Sequence, residues 1–395
     1  MEIFDIIHGN IEICATAKKI IDTIEFQRLR KIKQLGCCYL VFPSAVHTRF
    51  EHSIGVYHLA KEYIKKLNVG DKYFTEREGL CIRIAGLIHD IGHGPFSHLF
   101  DDLIEKGKGH EYRSGCLLKR MNTKYKLGFS DGEIQFILNV VNPKIETIEP
   151  SSKYKYQIIS NKNGIDVDRF DYIMRDIRMT GLNYGIEYNR IMDHSKIIDG
   201  RIIFSEKVKT NIEDFFRVRF IMYKEVYNHR TVRCLEYMVS DFINKIDGLI
   251  YIKKTVKEDN FEDFIQINDS IIDIVKYINN TTVENELVVD SLELIDRIEK
   301  REIYKSVGEI ELTSDLYKEN IFNKYTYDKD KIILDIVKIS YYGKETCDFY
   351  TNSKYRKNGV SKMYEDVFII SVYYKNKEYE KEANDYFDKL LPLKI

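Results

Sequence analysis

Residues 89–98 read HDIGHGPFSH, and they close a segment whose apolar residues fall at helical spacing. Leu80, Ile84, Leu87, Ile88 and Ile91 share the inner side of a helix over 76–91. Gly92, Gly94 and Pro95 then stop it, by backbone entropy and by loss of an amide donor. The last turn of a buried helix therefore carries His89 and Asp90, with His93 just after and His98 beyond the break. Burying so many ionisable groups is costly unless they pair or hold a metal ion. The fold must supply partners around this turn.

Partners are available. In a helix over 51–67, His52, Val56, Leu59 and Tyr63 lie on one face, so His52 points inward with the apolar residues. In NGIDVDRFDYIMRD (163–176), Asp168 and Tyr172 are one helical turn apart, with Arg175 and Asp176 a turn further. Two imidazoles and two carboxylates, from His52, His89, Asp90 and Asp168, make a borderline donor set. It suits Zn, Fe, Mn or Ni better than Ca, and leaves coordination positions open for water and a phosphate oxygen. Residues 89–93 also match H-D-x-x-H, near the zincin helix, but that motif needs the helix to continue where the glycines end it.

Composition removes other classes. Lys+Arg is 61 against Asp+Glu 62, a formal charge of −1, which argues against a broadly polybasic nucleic-acid binder. Hydrophobic residues at 44% and only 5 Pro permit a large core built on long helices. The 7 Cys are odd in number and form no C-x-x-C, so reduced thiols in an intracellular, cytoplasmic setting are expected. No secretory signal, membrane span or P-loop is read.

Helices are expected over 16–35, 51–67, 76–91, 165–180 and, as one or two, 211–248, with a connection at 142–163. Further on, IIDIVKYI and LELIDRI have helical period, whereas KIILDIVKIS and DVFIISVYY read as strands. The expected fold is mainly α: a helical core over 1–250 and a smaller mixed α/β lobe over 251–395, the latter serving oligomerisation or regulation.

The order His52, His89-Asp90, Asp168 resembles the H…HD…D signature of the HD-domain phosphohydrolases. IHGNIEI (7–13), IIDTIEFQRLRKIKQLG (20–36), VFPSAVHTRFEHSIGVYHLA (41–60), AGLIHDIGHGPFSHLFD (85–101) and residues 163–176 are similar to the SAM- and HD-domain deoxynucleoside triphosphate triphosphohydrolases and their bacterial relatives. The resemblance implies an HD core without the SAM domain. It also implies hydrolysis of dNTPs to deoxynucleoside and inorganic triphosphate, and His52, His89, Asp90 and Asp168 as metal ligands. It makes His93, Asp101 and His110 catalytic, with His110 as general acid. Gln34, Leu35, Arg49, His98, Arg169, Tyr172, Asp176, Arg219 and Tyr227 match substrate-binding positions. Arg169 stands where the animal enzyme has Lys, which keeps a cation for phosphate.

The implied cofactor is Fe, Mn or Zn, with Mg, and the implied assembly is a homodimer or homotetramer with GTP or a dNTP as effector. Asp22, Gln27 and Arg30 match one effector pocket, and Lys207 and Asn211 part of a second; Ser205 and Lys196 replace family arginines there. The residue chemistry agrees with a triphosphate, which calls for forked cations such as Arg49, Arg169 and Arg219. Two other readings remain: another HD nucleotide phosphohydrolase, or a groove for single-stranded nucleic acid. The second has against it the near-zero charge and the lack of an aromatic–basic stacking motif.

Overall fold

The computed structural model describes residues 1–104, 107–144, 148–279, 286–313, 326–351, 355–356 and 365–391. The fold is mainly α. Where the sequence reading divides the chain at 250, the packing interleaves two units. Unit 1 is Met1–Val218 with Ile252–Ile271 and Tyr342–Ser361; unit 2 is Arg219–Tyr251, Ile272–Tyr341 and Lys362–Ile395.

The helices of unit 1 that carry or flank the site are α1 (Arg49–Leu67), α2 (Glu76–Ile88), α3 (His98–Leu103), α4 (His110–Lys124), α5 (Asp131–Val141) and α6 (Val167–Thr180). α1 packs on α2 and α6, and α2 on α5. The starts of α1 and α2 are set by capping boxes, Thr48 with Glu51 and Thr75 with Glu78, which satisfy amides the first turn leaves open. His52, Val56, Leu59 and Tyr63 are all buried on α1, as their phase requires.

α2 ends at Ile88, short of the expected residue 91, so His89 is its C-cap and Asp90 lies in the turn beyond. The reason is Ser114 on α4. Its hydroxyl donates to the His89 carbonyl at 2.7 Å and accepts the Gly92 amide at 2.9 Å, taking both groups out of the helical ladder. The helix expected over 16–35 is also broken, into Ala15–Ile21, Ile24–Gln27 and a 3₁₀ turn at Arg28–Lys31. Thr23 is the cause: its backbone is extended, and its hydroxyl donates to Ile20 O at 2.7 Å while accepting the Phe26 amide at 3.3 Å.

Short strands were not read from the sequence. They are β1 (Glu2–Asp5) paired with β2 (Gly9–Glu12), and β3 (Ser195–Ile198) paired with β4 (Arg201–Ser205). The region expected as one or two helices over 211–248 is α7 (Lys209–Met222), a π turn at Tyr223–Tyr227, and α8 (Arg230–Ile250). In unit 2, α8 packs on α9 (Glu286–Glu299). The unit's sheet has the order β5–β9–β6, all antiparallel: β5 (Lys305–Thr313), β6 (Ile332–Ile339) and β9 (Val367–Tyr374). β7 (Phe349–Tyr350) and β8 (Tyr355–Arg356) extend the β3–β4 hairpin of unit 1. Ile310, Leu312, Ile370, Val372, Ala383 and Leu390 join the unit 2 sheet to α10 (Glu380–Leu390) in one core. No described helix is long and apolar enough to cross a membrane.

Candidate active site

Four side chains converge in unit 1 where α1, α2 and α6 meet. His52 Nε2 lies 3.1 Å from Asp168 Oδ1 and 3.7 Å from Asp90 Oδ2. His89 Nε2 lies 3.4 Å from both Asp90 Oδ1 and Asp168 Oδ1. It is buried and makes no aligned hydrogen bond, although an imidazole nitrogen left so is costly. His52, His89 and Asp168 have ligand atoms within 4.8 Å of one another, so this group could hold a metal ion. The donor set fits a borderline divalent ion, and a metal at the convergence gives His89 Nε2 the partner it otherwise lacks.

The other ring nitrogens are fixed from behind. His89 Nδ1 is 2.7 Å from Gly86 O, and His52 Nδ1 is 2.7 Å from Asp171 Oδ2, which leaves each Nε2 facing the centre. Asp171 is fully buried and also takes His8 Nε2 at 2.7 Å and the Arg175 guanidinium at 2.9 Å. Arg175 in turn donates to Asp5 at 2.8 Å. Burial alone would lower the His52 pKa, but its hydrogen bonds to the Asp168 and Asp171 carboxylates raise it to about 10. The Asp90 carboxyl, raised by burial, is driven below its usual range by Arg49 and His89. Without a metal, the centre therefore holds protons on imidazole and keeps its carboxylates charged.

Beside this centre, His93, His98 and His110 face one another. The His93 and His110 rings stack at 3.9 Å, and His98 stands edge-on to both. His110 Nδ1 is 2.5 Å from Asp101 Oδ2, and Arg113 Nη2 donates to Asp101 Oδ1 at 2.5 Å. His93 is fully buried, with Nε2 at 3.4 Å from Asp90 Oδ1 but aligned to no hydrogen bond. Burial and the nearby cations Arg49 and His110 push its pKa well below the ordinary value. Arg49 pairs with Asp90, donates to Ser97 Oγ at 2.8 Å and reaches Gln34 O at 3.4 Å.

One cavity is lined by Gln34, Arg49, His52, His89, Asp90, His93, His98, His110, Asp168, Arg169 and Tyr172. Of the other expected residues, Asp101 stands behind His110, and Leu35 is absent from the lining. Asp176 shares Tyr172's helix but is turned to His47 Nε2 at 2.7 Å, away from the lining. Arg219 and Tyr227 belong to unit 2, where Arg219 donates to Ser340 O at 2.8 Å. Arg30 Nε donates to Gln27 at 2.9 Å, near Asp22 in sequence but with Asp22 paired to Lys18. Asn211 accepts from Arg190 at 3.3 Å, and Lys207 is exposed.

Sequence reasoning placed Arg175 on the site's helix face but gave it no role, and missed Asp171, Ser114 and Arg28, whose buried guanidinium donates to His93 O at 2.8 and 2.6 Å. Asp171 had a signal, an opposite charge at i+4 on the apolar side of its helix. Phe96 and Ser97, between His93 and His98, hold φ of 59° and 60°. Such backbone costs about 1–3 kcal/mol per non-glycine residue and persists only where the surroundings over-determine it.

Comparison with known proteins places these residues in a family. The HD domain model matches residues 49–176, and the HD associated region model matches residues 186–363. The chain is 36% identical over 378 residues to a putative HD domain-containing protein of Acanthamoeba polyphaga mimivirus, covering 83% of this chain and 79% of that one. It is 35% identical over 343 residues to the deoxynucleoside triphosphate triphosphohydrolase SAMHD1 homolog of Dictyostelium discoideum, and 34% over 380 residues to the SAMHD1 of Homo sapiens. Those two alignments cover 85% and 84% of this chain, but only 64% and 59% of the relatives' own length.

Proposed function

We propose that this chain, which belongs to the HD-domain family, hydrolyses deoxynucleoside triphosphates to deoxynucleoside and inorganic triphosphate. The observation that carries the reading is the shared cavity. One wall is the His52, His89, Asp90 and Asp168 convergence; the other is the histidine cluster with Arg49 and Arg169. Relatives named as triphosphohydrolases support the substrate class.

A divalent transition metal, Fe, Mn or Zn, held by His52, His89, Asp90 and Asp168, would polarise the α-phosphate and lower the pKa of water there. Arg49 and Arg169 supply forked cations to phosphate oxygens. Both are held by carboxylates, Arg49 by Asp90 and Arg169 by Asp166, so their charge is aimed before substrate arrives. A water forms the new bond to the α-phosphorus as the bond to the 5′-oxygen breaks; His110 donates a proton to that oxygen from Nε2, and the water's proton leaves with the triphosphate or returns to His110 through solvent. Asp101 on Nδ1 orients the ring and stabilises its imidazolium. Tyr172 and Gln34 line the same cavity, and in this reading they meet the sugar and the nucleoside.

The assembly is a homodimer or homotetramer in this reading, and a guanine or deoxynucleotide effector meets Asp22, Gln27 and Arg30 or Lys207 and Asn211. Seven cysteines, odd in number and without a C-x-x-C, suit an intracellular, reducing setting. The test is direct: incubate the metal-loaded protein with each dNTP, with and without GTP, and resolve the products. Triphosphate and deoxynucleoside are expected. Monophosphate with pyrophosphate, or no turnover with Mn, Fe or Mg, would overturn the reading.

A further inference from the structure

Asp269 does not line the cavity, yet it is only 8% exposed and both its oxygens are engaged. Oδ1 accepts the Phe96 amide at 2.8 Å, and Oδ2 accepts the Lys33 amide at 2.8 Å. Its own amide donates to Lys31 O at 3.2 Å. The residue reaches unit 1 from far along the chain, in the Ile252–Ile271 segment. We propose that Asp269 is a positioning residue, which clasps the strained Phe96–Ser97 turn to the Lys33–Gly36 loop and so sets how His98 and Gln34 meet the substrate.

Two consecutive non-glycine residues at positive φ do not stay there unaided. Ser97 is held by its side chain, with Oγ donating to Lys33 O at 2.7 Å and accepting from Arg49 at 2.8 Å. The Phe96 amide is held by Asp269. The two loops also touch at Gly36, where a Cβ would lie 3.0 Å from Phe96 O. The next residue after the strained pair is His98, which starts α3 and lines the cavity; the next after Lys33 is Gln34, which lines it too. A carboxylate that accepts two buried amides fixes both loops with one group. A shift of about 1 Å at a reacting group can cost on the order of 100-fold in rate, so the clasp bears on turnover without touching substrate.

The inference rests on the hydrolase reading, and its test separates the two. Asp269→Asn and Asp269→Ala are compared with the parent by steady-state kinetics, bound-metal content and hydrogen exchange of peptides covering 32–36 and 94–98. Expected for both variants is a fall in kcat of about 10- to 100-fold that exceeds any rise in KM. Metal content stays at the parent's value, and exchange is faster in both peptides. An unchanged kcat, unchanged exchange, or loss of metal in parallel with activity would overturn it. Should both variants fail to fold, Asp269→Glu is measured the same way, and failure of all three would make Asp269 a folding residue and also overturn it. If the parent hydrolyses no dNTP, the hydrolase reading falls, while exchange at the two loops still reports the clasp.

Discussion

Asp171 ranks with the expected ligands in importance, although it stands one bond behind them. It holds His52 Nδ1 at 2.7 Å, and so decides which nitrogen of His52 faces the centre. Replacing it with Asn keeps the volume and removes the charge that orients the ring. Second-layer changes of this kind cost about 10- to 100-fold in metal affinity. Asp171→Asn is therefore expected to need that much more free metal for half-saturation, read by equilibrium dialysis against buffered Mn; parent-like affinity would remove Asp171 from this role. The same variant shows what was legible in the sequence. Residues that line the cavity carry unusual types at fixed spacing, so His52, His89, Asp90 and Asp168 could be read from the chain. Of those that hold them, Asp171 shows only its i+4 partner Arg175 and Arg28 shows nothing, because their partners in the site are 119 and 65 positions away. His8 adds to this support through Asp171 at 2.7 Å, while His47 pairs with Asp176 away from the cavity.

At the scale of elements, the turn after α2 is where the site is made. α4 crosses it so closely that a Cβ on Gly92 would lie 2.2 Å from His110 O and 2.4 Å from Ser114 N. Both neighbours are backbone, which cannot rotate away. Gly92→Ala is expected to cost about 1–3 kcal/mol, as overpacking does, and to push α4 outward with His110 at its first turn. Urea unfolding measures the first effect; a kcat loss larger than the change in metal content measures the second. Parent-like stability would mean that α4 is not seated on this turn. α4 and α5 were not read from the sequence, whereas α1, α2 and α6 were legible because their apolar residues repeat over three or more turns. Their ends were less so. Thr23 splits an apolar run that reads as one helix, and Ser114 ends α2 by reaching from another element, which no local pattern records. β1 to β4 escaped notice because strands of 4 or 5 residues show too little alternation to distinguish from loop.

Across the whole chain, the side chains at positions 52, 89, 90 and 168 bring distant parts of unit 1 to one point, and the mainly α class with its mixed lobe was legible from period alone. The interleaving of the units was not, because it depends on which elements pack together rather than on any local sequence. Metal removal should expose the electrostatic cost of the convergence through the pH dependence of stability. His52 is raised to about 10 when folded, against about 6.5 unfolded. A raised histidine stabilises the folded state below pH 6.5 and loses that contribution as pH rises toward 10. His93 is shifted the opposite way: buried neutral, it is protonated only in the unfolded chain, so its effect is loss of stability as pH falls below about 6.5. The chelated protein should therefore be most stable near neutral pH and weaken on both sides, as followed by urea unfolding between pH 5 and 9 (pH values of about this range, where the two shifts act). His93→Gln should make the acid side shallower without removing it, because His98, lowered to about 4 by burial and Arg49, weakens the fold on the same side. Because a metal needs His52 unprotonated, adding Mn should abolish the alkaline decline and raise stability by about 2.7 kcal/mol at a free concentration 100 times its dissociation constant. A decline above pH 7 that persists unchanged with Mn would mean that His52 is not a ligand.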